Sequence, residues 1–274
     1  MGENGFAENV GDNRKSISGP PANRHLIHIM SESSPKRILI TGGVRRLGLH
    51  TALALAERGN ILGLNYNTTP AQEAEDARNE CLKRGAQAVF LLQGDLTKNA
   101  ESIVERFAAS AGCIDVVVNN AGVMPHRKTL DELSITQFQD TLAVNLVAPL
   151  AMTKYAVPYF PASGGAIVNL ASLGGVQIWK SRIDYNVSKA ALITLTEALA
   201  RELASKHITV NAVAPGAIQI EGPDEHIGLA EDKIPLGRYG SPEDIVRAVL
   251  FFIYDAPYVT GQCLVVDGGR SVIG

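Results

Sequence analysis

Cysteine and net charge are both scarce in this chain of 274 residues, and each shortage removes a class of protein. Its three cysteines, Cys81, Cys113 and Cys263, are odd in number and far apart. They fit neither a disulfide framework nor a zinc site, so free thiols in a reducing, cytoplasmic setting are expected, with no metal. A formal net charge of −3 argues against nucleic acid or an anionic membrane as the main partner. No apolar run approaches the length of a membrane span. Residues 1–23 are polar and lack the apolar stretch of a secretory signal, and the partly apolar RHLIHIM at 24–30 is too short to supply one. Residues 1–35 are expected to be a disordered extension, with Met30 a plausible natural start, and 36–274 to be the folded domain. The remaining composition, 46% hydrophobic and 19% charged, is that of a globular enzyme with a sizeable core.

Apolar runs begin after Pro35 and alternate with longer amphipathic stretches. RILIT (37–41), ILGLN (61–65), AVFLL (88–92), VVVN (116–119), AIVNL (166–170), TVNAVA (209–214) and CLVV (263–266) predict buried strands. Helices are predicted at 48–58, 70–84, 99–111, 134–159, 185–206 and 241–254, with Pro70 and Pro242 in first turns and Gly59 and Gly85 at ends. Alternation of this kind implies right-handed crossovers and one doubly wound parallel α/β sheet of seven strands, with helices on both faces. Residues 217–240 break the rhythm with Gly222, Pro223, Gly228, Pro235, Gly237 and Gly240. They form either a surface loop or a mobile cover over a ligand.

The segment TGGVRRLG, Thr41 to Gly48, follows the first strand and leads into a helix. In a doubly wound sheet a pyrophosphate binds there, because glycines let the backbone approach and the helix N-terminus offers free amides. Gly42, Arg45, Arg46, Leu47 and Gly48 are therefore candidate cofactor contacts. An acidic residue ending the second strand would grip a ribose 2′-hydroxyl, but this chain has LNYNTT there, with Asn67 and Thr68. Arg45 and Arg46 lie in the preceding turn, and a guanidinium suits a 2′-phosphate, so NADP(H) is favoured over NAD(H). One of the two arginines, Arg46 by preference, is alternatively a solvated charge. In GDL, Asp95 either accepts from an adenine amino group or caps the next helix, with Leu96 beside it. In NNAG, small residues let Asn119, Ala121 and Gly122 pass beside a cofactor, unless the segment is only a tight turn.

Tyr185 and Lys189 stand four residues apart in YNVSK, and Ser172 lies upstream in LASLGG. On a helix the pair shares one face, and an ammonium beside a phenol favours the phenolate. A serine hydroxyl nearby would hold a substrate oxygen, which makes the three a proton-transfer site.

TGxxxxxG, DL, NNAG, Asn145 in AVNLVAP, Ser172, YxxxK, PG at 215–216 and VTGQ…VDGG at 259–269 together resemble the short-chain dehydrogenase/reductase family across 37–270. The resemblance implies a catalytic tetrad of Asn145, Ser172, Tyr185 and Lys189. Tyr185 would protonate a carbonyl oxygen as hydride arrives from the nicotinamide, Ser172 would bond that oxygen, Lys189 would bind the nicotinamide ribose, and Asn145 would hold a water. Asn145 could instead satisfy its own helix. Pro215, Gly216 and Ile218 would complete the cofactor site, and a homotetramer or homodimer paired through the helices at 134–159 and 185–206 is implied.

Three departures stand out. Arg46 replaces the middle glycine of TGxxxGxG, so the nucleotide turn resembles the pteridine reductase branch. GVMP, Gly122 to Pro125, replaces the aromatic which that branch places after NNA. Ile220 and Glu221 stand where a threonine often follows. The implied activity is NADPH-dependent reduction of a small ketone or aldehyde, in the manner of 3-oxoacyl reductases. Pteridine or dihydrofolate reduction is the alternative, and a non-catalytic dinucleotide sensor a third reading. Substrate contacts are expected from Met124, His126, Leu173, Gln177, Trp179 and Gln219, with Arg182 and Glu221 nearby. Trp179 is either a stacking surface or core. The basic run His126, Arg127, Lys128 is a solvated loop or a lure for an anionic substrate.

Overall fold

The computed structural model of the chain describes residues 1–2, 34–221 and 228–272. It divides the chain into Met1–Ser34 and Pro35–Gly274. The expected extension 1–35 falls almost wholly outside the described residues.

Seven parallel strands form one sheet in the order β3-β2-β1-β4-β5-β6-β7. They are β1 (Arg37–Ile40), β2 (Ile61–Tyr66), β3 (Ala88–Gln93), β4 (Val116–Asn119), β5 (Gly165–Leu170), β6 (Ile208–Pro215) and β7 (Cys263–Val266). The helices are α1 (Arg46–Ala56), α2 (Ala71–Lys83), α3 (Leu96–Ala111), α4 (Ile135–Leu142), α5 (Ala148–Ala156), α6 (Ile183–Leu203) and α7 (Pro242–Leu250).

Near-continuous apolar strands are the signature of a sheet buried on both sides, and side-chain alternation divides them between two cores. Ile38, Ile40, Leu62 and Leu64 join Leu55 of α1 and Ile245 and Val249 of α7 in one core. Leu39, Val117, Ile167 and Val210 join Phe107 of α3, Met152 of α5 and Leu203 of α6 in the other. Each fully buried aliphatic or aromatic side chain of this kind contributes about 1.5–3 kcal/mol. Strand order reverses between β1 and β4, and the crevice at their carboxyl ends is where such sheets bind ligands.

The helix predicted over 134–159 is not continuous. Ser134 caps α4 by accepting from the Gln137 amide at 3.1 Å. A π-helical turn, Ala143–Val147, then separates α4 from α5. Pro149 has no N–H to give the carbonyl four residues back, that of Asn145, and the winding relaxes around that gap. Similarly, the stretch predicted as 241–254 ends in a π-turn at Phe251–Asp255.

Residues 217–240 are anchored at their base. Gln219 donates its amide to the Gly240 carbonyl at 2.9 Å and Gly240 donates to Ala217 at 3.0 Å. Gly222 and Pro223 of the expected cover lie outside the described residues. Among the described residues no helix is long and apolar enough to cross a membrane.

Candidate active site

The turns after β1 and β4 are locked together before any ligand is considered. Thr41 Oγ1 accepts from the amides of Asn120 and Ala121, each at 3.0 Å. The Asn120 side chain donates to the carbonyls of Thr41 and Gly42 at 2.9 and 3.1 Å. A Cβ at Gly48 would lie 2.0 Å from the Gly42 carbonyl oxygen, so only glycine lets α1 start this close to the turn. Arg46 has φ 48°, the left-handed conformation that explains why glycine is usual at this position. Arg45 faces Glu73 at 3.5 Å, and Arg46 is bonded to Glu221, both at the exposed rim. At the end of β2, Asn65 is buried and its amide donates to Leu92 and Gly94 carbonyls at 3.0 and 3.1 Å. Tyr66, Asn67 and Thr68 follow it into the crevice.

Four residues of the chemistry come from three elements. Ser172 follows β5, and its Oγ accepts from the Gly174 amide at 3.1 Å, which leaves its own O–H free to donate. A Cβ at Gly175 would lie 2.6 Å from the Lys189 carbonyl carbon, so the segment carrying Ser172 rests directly on the α6 backbone. Tyr185 and Lys189 stand on α6 as the spacing predicts. Lys189 is only 4% exposed and donates to the Leu170 carbonyl at 2.6 Å, with two further N–H donors in hand.

Asn145 sits in the π-turn and turns away from its own helix. Its Oδ1 accepts from the Val123 amide at 2.8 Å, and its Nδ2 donates to the Val123 carbonyl at 2.9 Å and to Ser188 Oγ at 3.0 Å. A Cβ built on Gly122 would lie 3.2 Å from Asn145 Oδ1 and 3.4 Å from Lys189 Nζ, so those polar atoms and the NNAG turn share one corner.

The electrostatics differ from the expectation that an ammonium lowers the phenol. Burial pushes Tyr185 above its usual range, against lowering influences from the Ser172 hydroxyl and the Arg182 guanidinium. Burial also draws Lys189 from 10.5 down to about 8, since a desolvated ammonium is disfavoured. Desolvation thus dominates both groups in the free protein.

One cavity of about 950 Å³ joins the two ends. Gly42, Arg45, Arg46, Leu47, Gly48, Asn67, Thr68, Ala121, Gly122, Pro215, Gly216 and Ile218 line it, as do Ser172, Tyr185 and Lys189. So do Met124, Leu173, Gln177, Trp179 and Arg182 of the expected substrate set. Asp95, Leu96, Asn119, Asn145, His126 and Gln219 do not. Asp95 caps α3, accepting from the Thr97 amide at 2.9 Å. Asn119 is buried and donates to Asn169 at 2.9 Å. His126 is exposed, and the Gln219 amide is engaged at Gly240. Sequence reasoning missed Tyr66, Asn120, Lys180 and Arg270, which also line the cavity. Asn120 and Tyr66 carried a signal, their places within NNAG and LNYNTT. Among the described lining residues there is no carboxylate. Cys81 and Cys263 are held by burial at about 11, poor values for a nucleophile.

A parallel sheet with a glycine-rich turn at its switch point, and a serine, tyrosine and lysine around the same crevice, defines an oxidoreductase of the Rossmann type. A family model described as "Enoyl-(Acyl carrier protein) reductase" matches residues 43–271. The chain is 37% identical to an uncharacterized oxidoreductase of Thermotoga maritima, over 87% of this chain and 98% of that one. It is 35% identical to the 3-oxoacyl-(acyl-carrier-protein) reductase FabG of Chlamydia muridarum, over 86% and 97%. The solved structure of acetoin dehydrogenase from Enterobacter cloacae is 30% identical, with a TM-score of 0.81, covering 88% of this chain and 98% of that one. The chain belongs to the short-chain dehydrogenase/reductase family.

Proposed function

We propose that this protein is an NADPH-dependent reductase of a small ketone or aldehyde. The observation that carries the reading is the single cavity. The phenol, hydroxyl and ammonium of Tyr185, Ser172 and Lys189 lie at one end, and Arg45 and Arg46 lie at the other. The Gly42–Gly48 cradle, which any Cβ at 48 would fill, fits a pyrophosphate. The absence, among the described lining residues, of a carboxylate beside Asn67 and Thr68, together with the two guanidinium groups, suits a 2′-phosphate better than a free 2′-hydroxyl. Gly42, Leu47, Asn67, Thr68, Ala121, Gly122, Pro215, Gly216 and Ile218 would hold such a cofactor.

A bound nicotinamide supplies the hydride. The Tyr185 phenol, kept protonated by burial, gives its proton to the carbonyl oxygen as charge develops there. The Ser172 hydroxyl, its oxygen oriented by the Gly174 amide, donates to the same oxygen. Lys189 keeps two N–H donors for the ribose and for reprotonating Tyr185. Asn145 fixes Val123 and, through Ser188, the Tyr185 carbonyl; one Oδ1 lone pair remains for a water.

Reduction of a pteridine or dihydrofolate is the second reading, favoured by Trp179, whose ring faces the cavity and stacks on Tyr185 at 6.1 Å. The unpaired thiols of Cys81, Cys113 and Cys263 suit the cytoplasm. Exposed Val147, Leu150 and Val187 on the helices expected to pair support a homotetramer or homodimer.

The test is oxidation of NADPH, and of NADH beside it, against acetoacetyl thioesters, diketones, quinones and dihydropteridines. Tyr185→Phe should lower turnover by roughly 100-fold or more while NADPH still binds. Comparable turnover in that variant would refute the proton donor, and equal efficiency with NADH would refute the role of Arg45.

A further inference from the structure

Among the described residues, the substrate end of the cavity gathers positive charge without a carboxylate against it. Four cations line it, Arg127, Lys180, Arg182 and Arg270, and among the described residues none of them is paired with a carboxylate. Arg182, at the N-terminal end of α6, is half-buried, whereas Arg127 and Lys180 are exposed. It donates one Nη to the Pro125 carbonyl, yet its Nε is buried with no partner at all. A buried guanidinium donor left unmade is costly unless an acceptor arrives.

The carboxylate best placed to neutralise Arg182 is already committed. Asp184 is buried and accepts from Gln137 Nε2 at 2.8 Å, Thr141 Oγ1 at 3.3 Å and the Tyr185 amide at 2.8 Å. Arg127, whose guanidinium donates to the Lys180 carbonyl at 3.1 Å, adds a second positive charge rather than a counter-ion. Desolvation and then Arg127 draw Arg182 below its ordinary range, with Asp184 and the Tyr185 phenol acting the other way. Arg182 and Tyr185 line the same cavity and stand three residues apart at the start of α6, a spacing that puts neighbours on one side of a helix. Trp179 lines the same cavity and stacks on Tyr185 with 17° between ring planes.

We propose that this site takes a keto acid, a carbonyl compound whose carboxylate is bound by Arg182, with Arg127 assisting, a few bonds from the carbon reduced beside Tyr185. The planar fork of a guanidinium matches a carboxylate, and among the described residues no carboxylate is paired with the Arg182 guanidinium that lines the cavity. A charge this near the phenol selects a short acid over a long acyl chain that ends in a distant anion. The inference rests on the carbonyl reductase reading above.

Trp179 is the sole tryptophan of the chain, so its emission reports occupation of this end without turnover. The experiment titrates the full protein, loaded with NADP+ so that no reduction occurs, with 4-oxopentanoate and 5-oxohexanoate and with their methyl esters. At least one acid should quench or shift the emission saturably and bind roughly tenfold or more tighter than its ester. Arg182→Met should abolish that gap, and Arg182→Lys should narrow it. Should Arg182→Met fail to fold, the Lys variant and the acid-to-ester gap of the unaltered protein decide the matter. Equal binding of acid and ester, no saturable change with either acid, or an undiminished gap in the variants would overturn the proposal. A clear gap without NADPH oxidation on any carbonyl would sink the reductase reading and leave the anion site standing. Turnover of neutral ketones with no gap would do the reverse.

Discussion

Replacing Lys189 with methionine should make the protein's stability less dependent on alkali while destroying its activity. The ammonium is buried, and its value falls from 10.5 to about 8, a difference of about 3 kcal/mol against the charged folded state. Below pH 8 both folded and unfolded chains carry the proton, and the full penalty applies. Between 8 and 10.5 the folded chain loses its proton first, so the unfolded state binds more protons and stability rises with pH. Methionine removes this titration. At neutral pH it also loses the charge-assisted bond to Leu170, worth about 1.5–3 kcal/mol, so the two proteins should differ little there. Urea unfolding of both proteins at pH 7, 8, 9 and 10 is the assay, because taking the difference cancels every other titrating group. The unaltered protein should gain about 2–3 kcal/mol on Lys189→Met across that range. Its kcat/KM for reduction should move the opposite way, falling above about pH 8 as the ammonium is lost. A pH-independent stability difference would refute the claim that Lys189 is held charged at a desolvation cost.

Arg46→Gly should relieve a left-handed backbone by about 1 kcal/mol in thermal unfolding while raising the KM for NADPH more than that for NADH; an equal rise with both would remove Arg46 from 2′-phosphate recognition. Asn145→Ala should cost about 1–3 kcal/mol, since the Val123 amide and carbonyl lose their partner, and should lower kcat as well. Unchanged stability would show that the Val123 loop is held by something else. Gly175→Ala should cost at least 1–3 kcal/mol, because its methyl would meet the Lys189 backbone at 2.6 Å. A variant as stable as the parent, measured by urea unfolding, would mean the Ser172 segment can lift off α6.

The strands were legible because a sheet covered on both faces must be apolar at every position, and the seven runs match the seven strands to within a residue or two at each end. The Tyr185–Lys189 pair was legible because helical spacing alone puts them on one face. What remained hidden depends on surroundings that spacing does not encode. The Tyr185 value is raised by burial, and the influences that oppose it come from Ser172 and Arg182 rather than from the Lys189 expected to lower it. His126 was expected at the substrate and Arg127 was left between a solvated loop and a lure for an anion, but it is Arg127, bonded to the Lys180 carbonyl, that lines the cavity. Lys180 reaches the same space from a segment that carries no motif, and Arg270 from the position just after VDGG, a motif that says nothing of the residue following it. AVNLV reads as ordinary helix, and only the proline four residues after Asn145 hints at wider winding.

That wider winding makes residue count a functional quantity. With one amino acid removed between Thr141 and Pro149, the polypeptide could resume regular coiling and swing the Asn145 amide by about a quarter-turn, off Val123 and Ser188. The lesion would delete no chemical group from the active centre. It would silence the enzyme by rotation alone.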